Sequence, residues 1–354
     1  MLEFLKHWYQ RRFSDPGAVA LFLMLLIGFV VVYFFGQILT PLFAAIVIAY
    51  LLEWPVSRME RFGLGRGFAA GLVLIVFAVF TIFALVGLVP SLFTQVANLA
   101  KEIPVMITRS QDVLRTLPER YPELVDVTLI ETMLDATRAR LLGSTEAVLS
   151  VSLSSLANAA VLLVYLILIS VLVFFMLKDK SQLLAGMAHF LPRNRELVSR
   201  VWQEMNGQIA NYVRGKVIEI VIVGVVSYVT FVLLDLRYAL LLAVLVGFSV
   251  LVPYIGAAAA TVPVAMVALF QWGFTTPFFY VMIAYGIIQA LDGNVLVPVL
   301  FSEAVNLHPI AIIVAVLVFG GLWGFWGVFF AIPLATLVKA VINAWPYHEE
   351  PVDS

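Results

Sequence analysis

Residues 68–89 read F-A-A-G-L-V-L-I-V-F-A-V-F-T-I-F-A-L-V-G-L-V, without one charged side chain. At about 1.5 Å of rise per residue, a helix of this length reaches roughly 33 Å, enough to cross the ~30 Å hydrocarbon layer of a bilayer. A helix in water would carry a polar face over that distance, and this one has none. Similar runs flank it on both sides: Ala18–Phe35, Ile38–Leu52 with Pro41 near its start, Val151–Leu177, Val217–Leu234, Tyr238–Phe270 with an interruption, Pro277–Leu300 and Pro309–Ala344. The whole chain of 354 residues is 63% hydrophobic and 12% charged. A soluble domain is about half apolar and about a quarter charged, so this chain has too few polar residues to cover a globule. The expected fold is all-α: a polytopic transmembrane helical protein with about eight hydrophobic segments and an extramembrane helical insert.

The polar stretches between the runs set the organisation. Ser91–Ser150, beyond the Pro90 expected to close the third helix, holds six basic side chains against eight acidic ones. Leu92, Val96, Leu99 and Ile103 recur at helical spacing, so the insert reads as amphipathic helices, with Pro118 and Pro122 marking a break. Glu53–Gly67, with Arg58, Arg61 and Arg66, and Lys178–Lys216, with seven basic side chains, are by contrast basic. Short basic loops stay in the cytoplasm. A cytoplasmic N-terminus puts both basic stretches inside and the acidic insert outside. The expected divisions are 1–90 (N-terminal segment and three membrane helices), 91–150 (extracytoplasmic insert), 151–177 (fourth membrane helix), 178–216 (cytoplasmic basic segment), 217–345 (C-terminal bundle with broken helices) and 346–354 (cytoplasmic tail). Lys6, Arg11 and Arg12 precede the first run, which is long enough to span and has no Ala-x-Ala site after it, so it reads as a retained helix.

Several function classes fall away. There is no cysteine, which removes disulfides, thiolate catalysis and Cys-based metal sites. The four histidines are scattered, and no metal site or cofactor is expected. Net charge is −1, giving no electrostatic case for nucleic acid. The chain has no phosphate-binding Gly-rich loop with Lys-Ser or Lys-Thr, no H-E-x-x-H and no G-x-S-x-G, so neither an ATP-driven pump nor an enzyme is expected.

Two runs are interrupted. Tyr238–Val252, at roughly 22 Å, falls short of the hydrocarbon layer, and L-V-P-Y-I-G (Leu251–Gly256, including Pro253 and Tyr254) precedes a second apolar piece. Pro309–Phe319 is shorter still and meets F-G-G-L-W-G-F-W-G, with glycines at Gly320, Gly321, Gly324 and Gly327. A break in lipid frees backbone polar groups that must face protein or a water-filled cavity. Paired breaks in a transporter point to the substrate site; tight hairpins or kinked helices are the plainer reading. Asp292 lies deep in Pro277–Leu300, with Gln289 on the same helix face and Gly293, Asn294 and Pro298 following. A carboxylate at that depth marks a functional site or pairs with a cation inside the bundle. Asp292, Gln289, Asn294, Pro253, Tyr254, Gly256, Pro298 and the four glycines are the pathway candidates. Glu219, three residues after Lys216, reads first as a local ion pair near headgroup depth. Arg214, Glu303 and His308 are weaker candidates, His308 reading first as a helix-start residue before Pro309.

The ordered set F-F-M-L-K-D (Phe174–Asp179), N-Y-V-R-G-K (Asn211–Lys216), V-L-V-P-Y-I-G (Val250–Gly256), L-V-P-V-L (Leu296–Leu300), N-L-H-P (Asn306–Pro309) and G-V-F-F-A-I-P-L (Gly327–Leu334) resembles the AI-2E family of transporters over nearly the whole chain. The resemblance implies a bacterial inner-membrane transporter with about eight membrane segments and homo-oligomeric, pentameric assembly. Members are associated with export of the quorum-sensing signal autoinducer-2, and others resemble sodium(lithium)/proton antiporters. Where members often carry Glu before the L-x-P motif, this chain has Asp292 and Asn294. The expected function is a secondary transporter, embedded in membrane lipid, exporting a small solute or signal. Monovalent cation/proton antiport is the alternative. A non-transporting scaffold that docks a partner through 91–150 is the rival from another class.

Overall fold

The computed structural model describes residues 16–120, 155–189, 196–301 and 307–344, and every regular element among them is a helix. In chain order these are α1 (Pro16–Phe35), α2 (Thr40–Arg61), α3 (Arg66–Arg120), α4 (Ser155–Lys178), α5 (Lys180–His189), α6 (Glu196–Leu233), α7 (Ala239–Ser249), α8 (Ile255–Trp272), α9 (Thr276–Leu291), a π-helical turn at Asp292–Leu296, α10 (Val297–Phe301), α11 (Pro309–Phe329) and α12 (Ala331–Ala344). Among the described residues, six stretches have the length and apolar composition to cross a membrane: Thr40–Arg61, Arg66–Glu102, Val201–Leu233, Ile255–Trp272, Thr276–Phe301 and Pro309–Phe329, the last interrupted at Gly324. Shorter apolar helices fill Leu21–Phe35, Leu163–Lys178, Ala239–Ser249 and Ala331–Asn343. Large side chains such as Phe83 (79% exposed) and Leu233 (78%) lie on the outside, which in water would be untenable and in lipid is the expected face. The chain is a multi-pass helical membrane protein.

Three helices outrun their apolar segments. α2 continues past Leu52, through Pro55, to Arg61. α3 passes through Pro90, expected as its end, and through Pro118 to Arg120. α6 starts at Glu196, well before the expected Val217. Hydropathy reports where a helix leaves lipid, not where it stops. Tertiary contacts hold these extensions. Beyond Pro90, Leu99 packs on the core of α6–α9, Leu241 N–H donates to Gln95 Oε1 at 3.0 Å, and Arg237 pairs with Glu102 at 3.6 Å. At the other end of α3, Arg66 pairs with Glu53 (3.1 Å) and Glu60 (2.9 Å), and its Nε donates to the Leu177 carbonyl (2.8 Å). Lys180 pairs with Glu53 at 2.8 Å, so α2, α3 and α5 meet at one carboxylate, and Arg66 also holds the end of α4. The rest of the expected insert, 121–150, lies outside the described residues.

Small residues let the helices close on one another. Ala45, Val56, Ala69, Ala70 and Val173 form the buried seam of α2, α3 and α4. Between α6 and α7, a Cβ on Gly247 would lie 3.0 Å from the Ile220 carbonyl oxygen. Helix α6 is the hub and packs against α1, α2, α7, α9, α10 and α12.

Candidate functional site

Both interruptions are helical hairpins. The first joins α7 to α8 through Val250–Tyr254, where Tyr254 adopts φ +63°, a left-handed backbone rare for a residue with a side chain. The arms meet so closely that a Cβ on Gly256 would overlap the Ser249 carbonyl oxygen. The second reverses inside α11 at Gly324 (φ 59°, ψ −132°), and a Cβ on Gly327 would overlap the Phe319 carbonyl oxygen in the same way. Gly320 faces Val328 across this hairpin, while Gly321 has nothing within 4 Å. These four glycines shape the second hairpin, and none of them lines the cavity described below.

Each hairpin has a carbonyl without a helical donor, Val250 in the first turn and Phe329 where α11 passes into α12, and proline is the reason. Val250 C=O has Pro253 at the third position on, and Phe329 C=O has Pro333 at the fourth. Neither proline offers an N–H. Helix α6 supplies both missing donors. Lys216 Nζ donates to Val250 O at 3.0 Å, and the Tyr212 hydroxyl donates to Phe329 O at 2.8 Å. Tyr212, Lys216 and Glu219 follow at i, i+4 and i+7 and share one helix face. All three are buried, at 2%, 3% and 2% exposure.

The pair Lys216–Glu219, at 2.6 Å, is the local ion pair the spacing predicted, but it lies inside the protein and not at a lipid headgroup. The Phe301 ring closes the arrangement, with Lys216 Nζ 5.1 Å from its centroid, inside the range of a cation–π contact. Phe301 approaches so near because position 215 is glycine: a Cβ there would lie 2.8 Å from Phe301 Cε1.

Beside this pair is a cavity of about 460 Å³, lined by Lys216, Glu219, Gln289, Asp292, Gly293, Pro253, Tyr254, Pro298 and apolar side chains of α10–α12. Asp292 and Gln289 reach it from the point where α9 changes from α to π winding. Such π-turns inside helices are frequent at functional sites. At this wider turn Asp292 Oδ1 and Gln289 Nε2 are both buried; Asp292 Oδ1 has no hydrogen-bond partner in the protein, and the Gln289 amide interacts with the Tyr285 hydroxyl one turn earlier. One is an acceptor, the other a donor. A buried polar atom without a partner is uncommon in a native protein and calls for an explanation such as a ligand.

The remaining candidates sit elsewhere. Asn294 donates to the Ala290 carbonyl at 2.8 Å on an exposed face. Gly256 lies in the first hairpin seam. Arg214 donates to the Ala210 carbonyl (3.0 Å) and to Asn211 (3.1 Å). His308 caps α11, its Nδ1 accepting from Ile310 N–H at 3.3 Å. Glu303 lies outside the described residues. Among the described residues no group of His, Asp and Glu is arranged to hold a metal ion. Sequence reasoning passed over Lys216 and Tyr212 as site residues. The signal was present in the two prolines, each announcing a carbonyl that some other segment must meet.

Comparison with known proteins accords with this architecture. Residues 22–347 match the profile described as AI-2E family transporter. The chain is 53% identical over 346 residues to the protein named "Putative permease PerM" of Escherichia coli K12, covering 98% of each. It is 26% identical to the "Putative transport protein YrrI" of Bacillus subtilis, over 86% of each chain. It is 25% identical to the "AI-2 transport protein TqsA" of Escherichia coli K12, over 90% of each. These proteins are named for transport and permeation, and the match spans both hairpins and the cavity. The chain belongs to the AI-2E family of transporters.

Proposed function

We propose that this protein is a secondary transporter of the bacterial inner membrane that exports a small polar solute through the cavity beside Asp292. One observation carries the reading: a cavity lined by Gln289 and by Asp292, whose buried Oδ1 has no partner, lies where a hairpin break meets a π-turn. Lipid excludes such groups unless they border a route for something polar. The volume is in the range of small-molecule sites, about 300–1,000 Å³, and is larger than a bare monovalent ion needs. That favours a solute over antiport of a metal ion alone. The AI-2 transport protein is a relative named for moving a small signal. For the direction of insertion, support comes from Arg58, Arg61, Arg66, Lys178 and Lys180 clustering at one end of the bundle, which would face the cytoplasm together with both termini.

The test is Asp292→Asn. Cells overproducing the wild-type protein should release small metabolites that control cells retain, read as an untargeted profile of the medium. The variant, present in the membrane at equal level, should lose that release by about 10-fold or more, matching the ~1.5–3 kcal/mol of a hydrogen bond to a charged group. Release equal to that of the wild type would remove Asp292 from the pathway.

A further inference from the structure

Lys216 Nζ sits among groups that can hold a cation. Its ammonium has three protons, and three acceptors surround it: Glu219 Oε2 at 2.6 Å, Val250 O at 3.0 Å and the Phe301 face at 5.1 Å from the centroid. A carboxylate and a backbone carbonyl freed at a broken helix are the ligands that transporters offer to sodium. Here a side chain fixed to α6 fills that position, with 4% side-chain exposure. Among the charged side chains lining the cavity, this is the one cation against two carboxylates, Glu219 and Asp292. Taking the ammonium away leaves the Glu219 carboxylate and an unmet carbonyl in a cavity that Asp292 and Phe301 also line.

We infer that Lys216 is a tethered cation occupying a monovalent-cation site built by Glu219, the Val250 carbonyl and Phe301, and that it makes the wild-type cavity indifferent to sodium. The metal-ion site is latent, and truncating the lysine uncovers it. The inference rests on the transport reading only for what passes the cavity; the cation site is tested without transport. A solute entering the cavity then meets the single unpaired carboxylate of Asp292, with the second already neutralised.

The experiment uses the purified full-length protein in mild detergent, melted in sodium, potassium and choline chloride at equal ionic strength. The wild type should melt at the same temperature in all three. Lys216→Ala should melt lower than the wild type in choline, and sodium should raise its melting temperature saturably by at least about 2 °C. Lys216→Arg keeps a charge and should stay indifferent to sodium. Lys216→Ala combined with Glu219→Gln should lose the sodium response. If Lys216→Ala folds only when extracted in sodium, that is the same result in stronger form. Three outcomes overturn the inference: sodium-specific stabilisation of the wild type, equal melting of Lys216→Ala in sodium and choline, and failure of Lys216→Ala to fold in either salt. Failure of Asp292→Asn to affect release would strike the transport reading and leave the cation site standing. Sodium indifference of Lys216→Ala would do the reverse.

Discussion

Replacing Tyr212 by Phe isolates one hydrogen bond and leaves everything else in place. The ring stays, and with it the contacts to Phe301 (centroids 5.9 Å apart) and Phe329 (6.0 Å). What disappears is the hydroxyl that donates to Phe329 O at 2.8 Å. That carbonyl cannot find its partner in α12, because the residue four on is Pro333; its neighbour Phe330 O does find one, Leu334 N–H at 2.8 Å. Tyr212 is 2% exposed and Phe329 5%, so no solvent stands ready to replace the donor. An orphaned buried acceptor of this kind costs about 1–3 kcal/mol, or roughly 5- to 150-fold in the ratio of folded to unfolded protein. Reversible unfolding in mixed micelles, followed by tryptophan fluorescence, reads that difference. Tyr50→Phe is the control, since its hydroxyl donates to Asn206 Oδ1 at 2.8 Å in a half-buried setting. Tyr212→Phe should lose clearly more than Tyr50→Phe. A Tyr212→Phe protein within about 0.5 kcal/mol of wild type, the range of neutral surface changes, would refute the claim that α6 supplies the missing donor of the second hairpin.

Two further outcomes follow from close approaches in the hairpins. Gly256→Ala and Gly327→Ala each drive a methyl group into a backbone carbonyl that has no rotamer to escape with, so folded protein recovered by size exclusion should collapse, while Gly321→Ala, in open space, should be recovered as the wild type is. Gly215→Ala pushes Phe301 away from α6 and from Lys216 Nζ, and should destabilise by about 1–3 kcal/mol as an overpacking change, measured as a fall in melting temperature.

The composition and the uncharged runs specify a helical membrane protein because lipid imposes a demand that almost any apolar side chain meets. The ends of the helices are a different matter. Pro55 and Pro90 look like terminators, yet α2 and α3 run through both. A proline removes one hydrogen bond; Glu53, Arg66 and Lys180 on one side and Gln95, Leu99 and Glu102 on the other tie the extensions to the bundle. Those partners are far apart in sequence, so a local reading sees the breaker and not the contact that overrides it.

The same limit shaped the reading of the site. Asp292 and Gln289 declare themselves by depth and by i, i+3 spacing, and Pro253 and Pro298 by interrupting apolar runs. Lys216 is harder to see, since its spacing to Glu219 already explains both residues locally. Its second partner, Val250 O, is 34 positions away, and the partner of Tyr212 is 117 positions away. What the sequence does state is a pair of unmet acceptors, one at each proline, and a helix with Tyr, Lys and Glu on one face. Joining the two statements has a mechanical consequence. Helix α6 holds a carbonyl of each hairpin, so neither hairpin can shift unless α6 travels with it or exchanges a bond. Tyr212 is packed between Phe301 and Phe329 and does not line the cavity, whereas Lys216 lines it together with a second carboxylate, Asp292, whose Oδ1 has no hydrogen-bond partner. If the bundle opens during transport, the hinge therefore belongs at the first hairpin, and the second moves with α6 as one body.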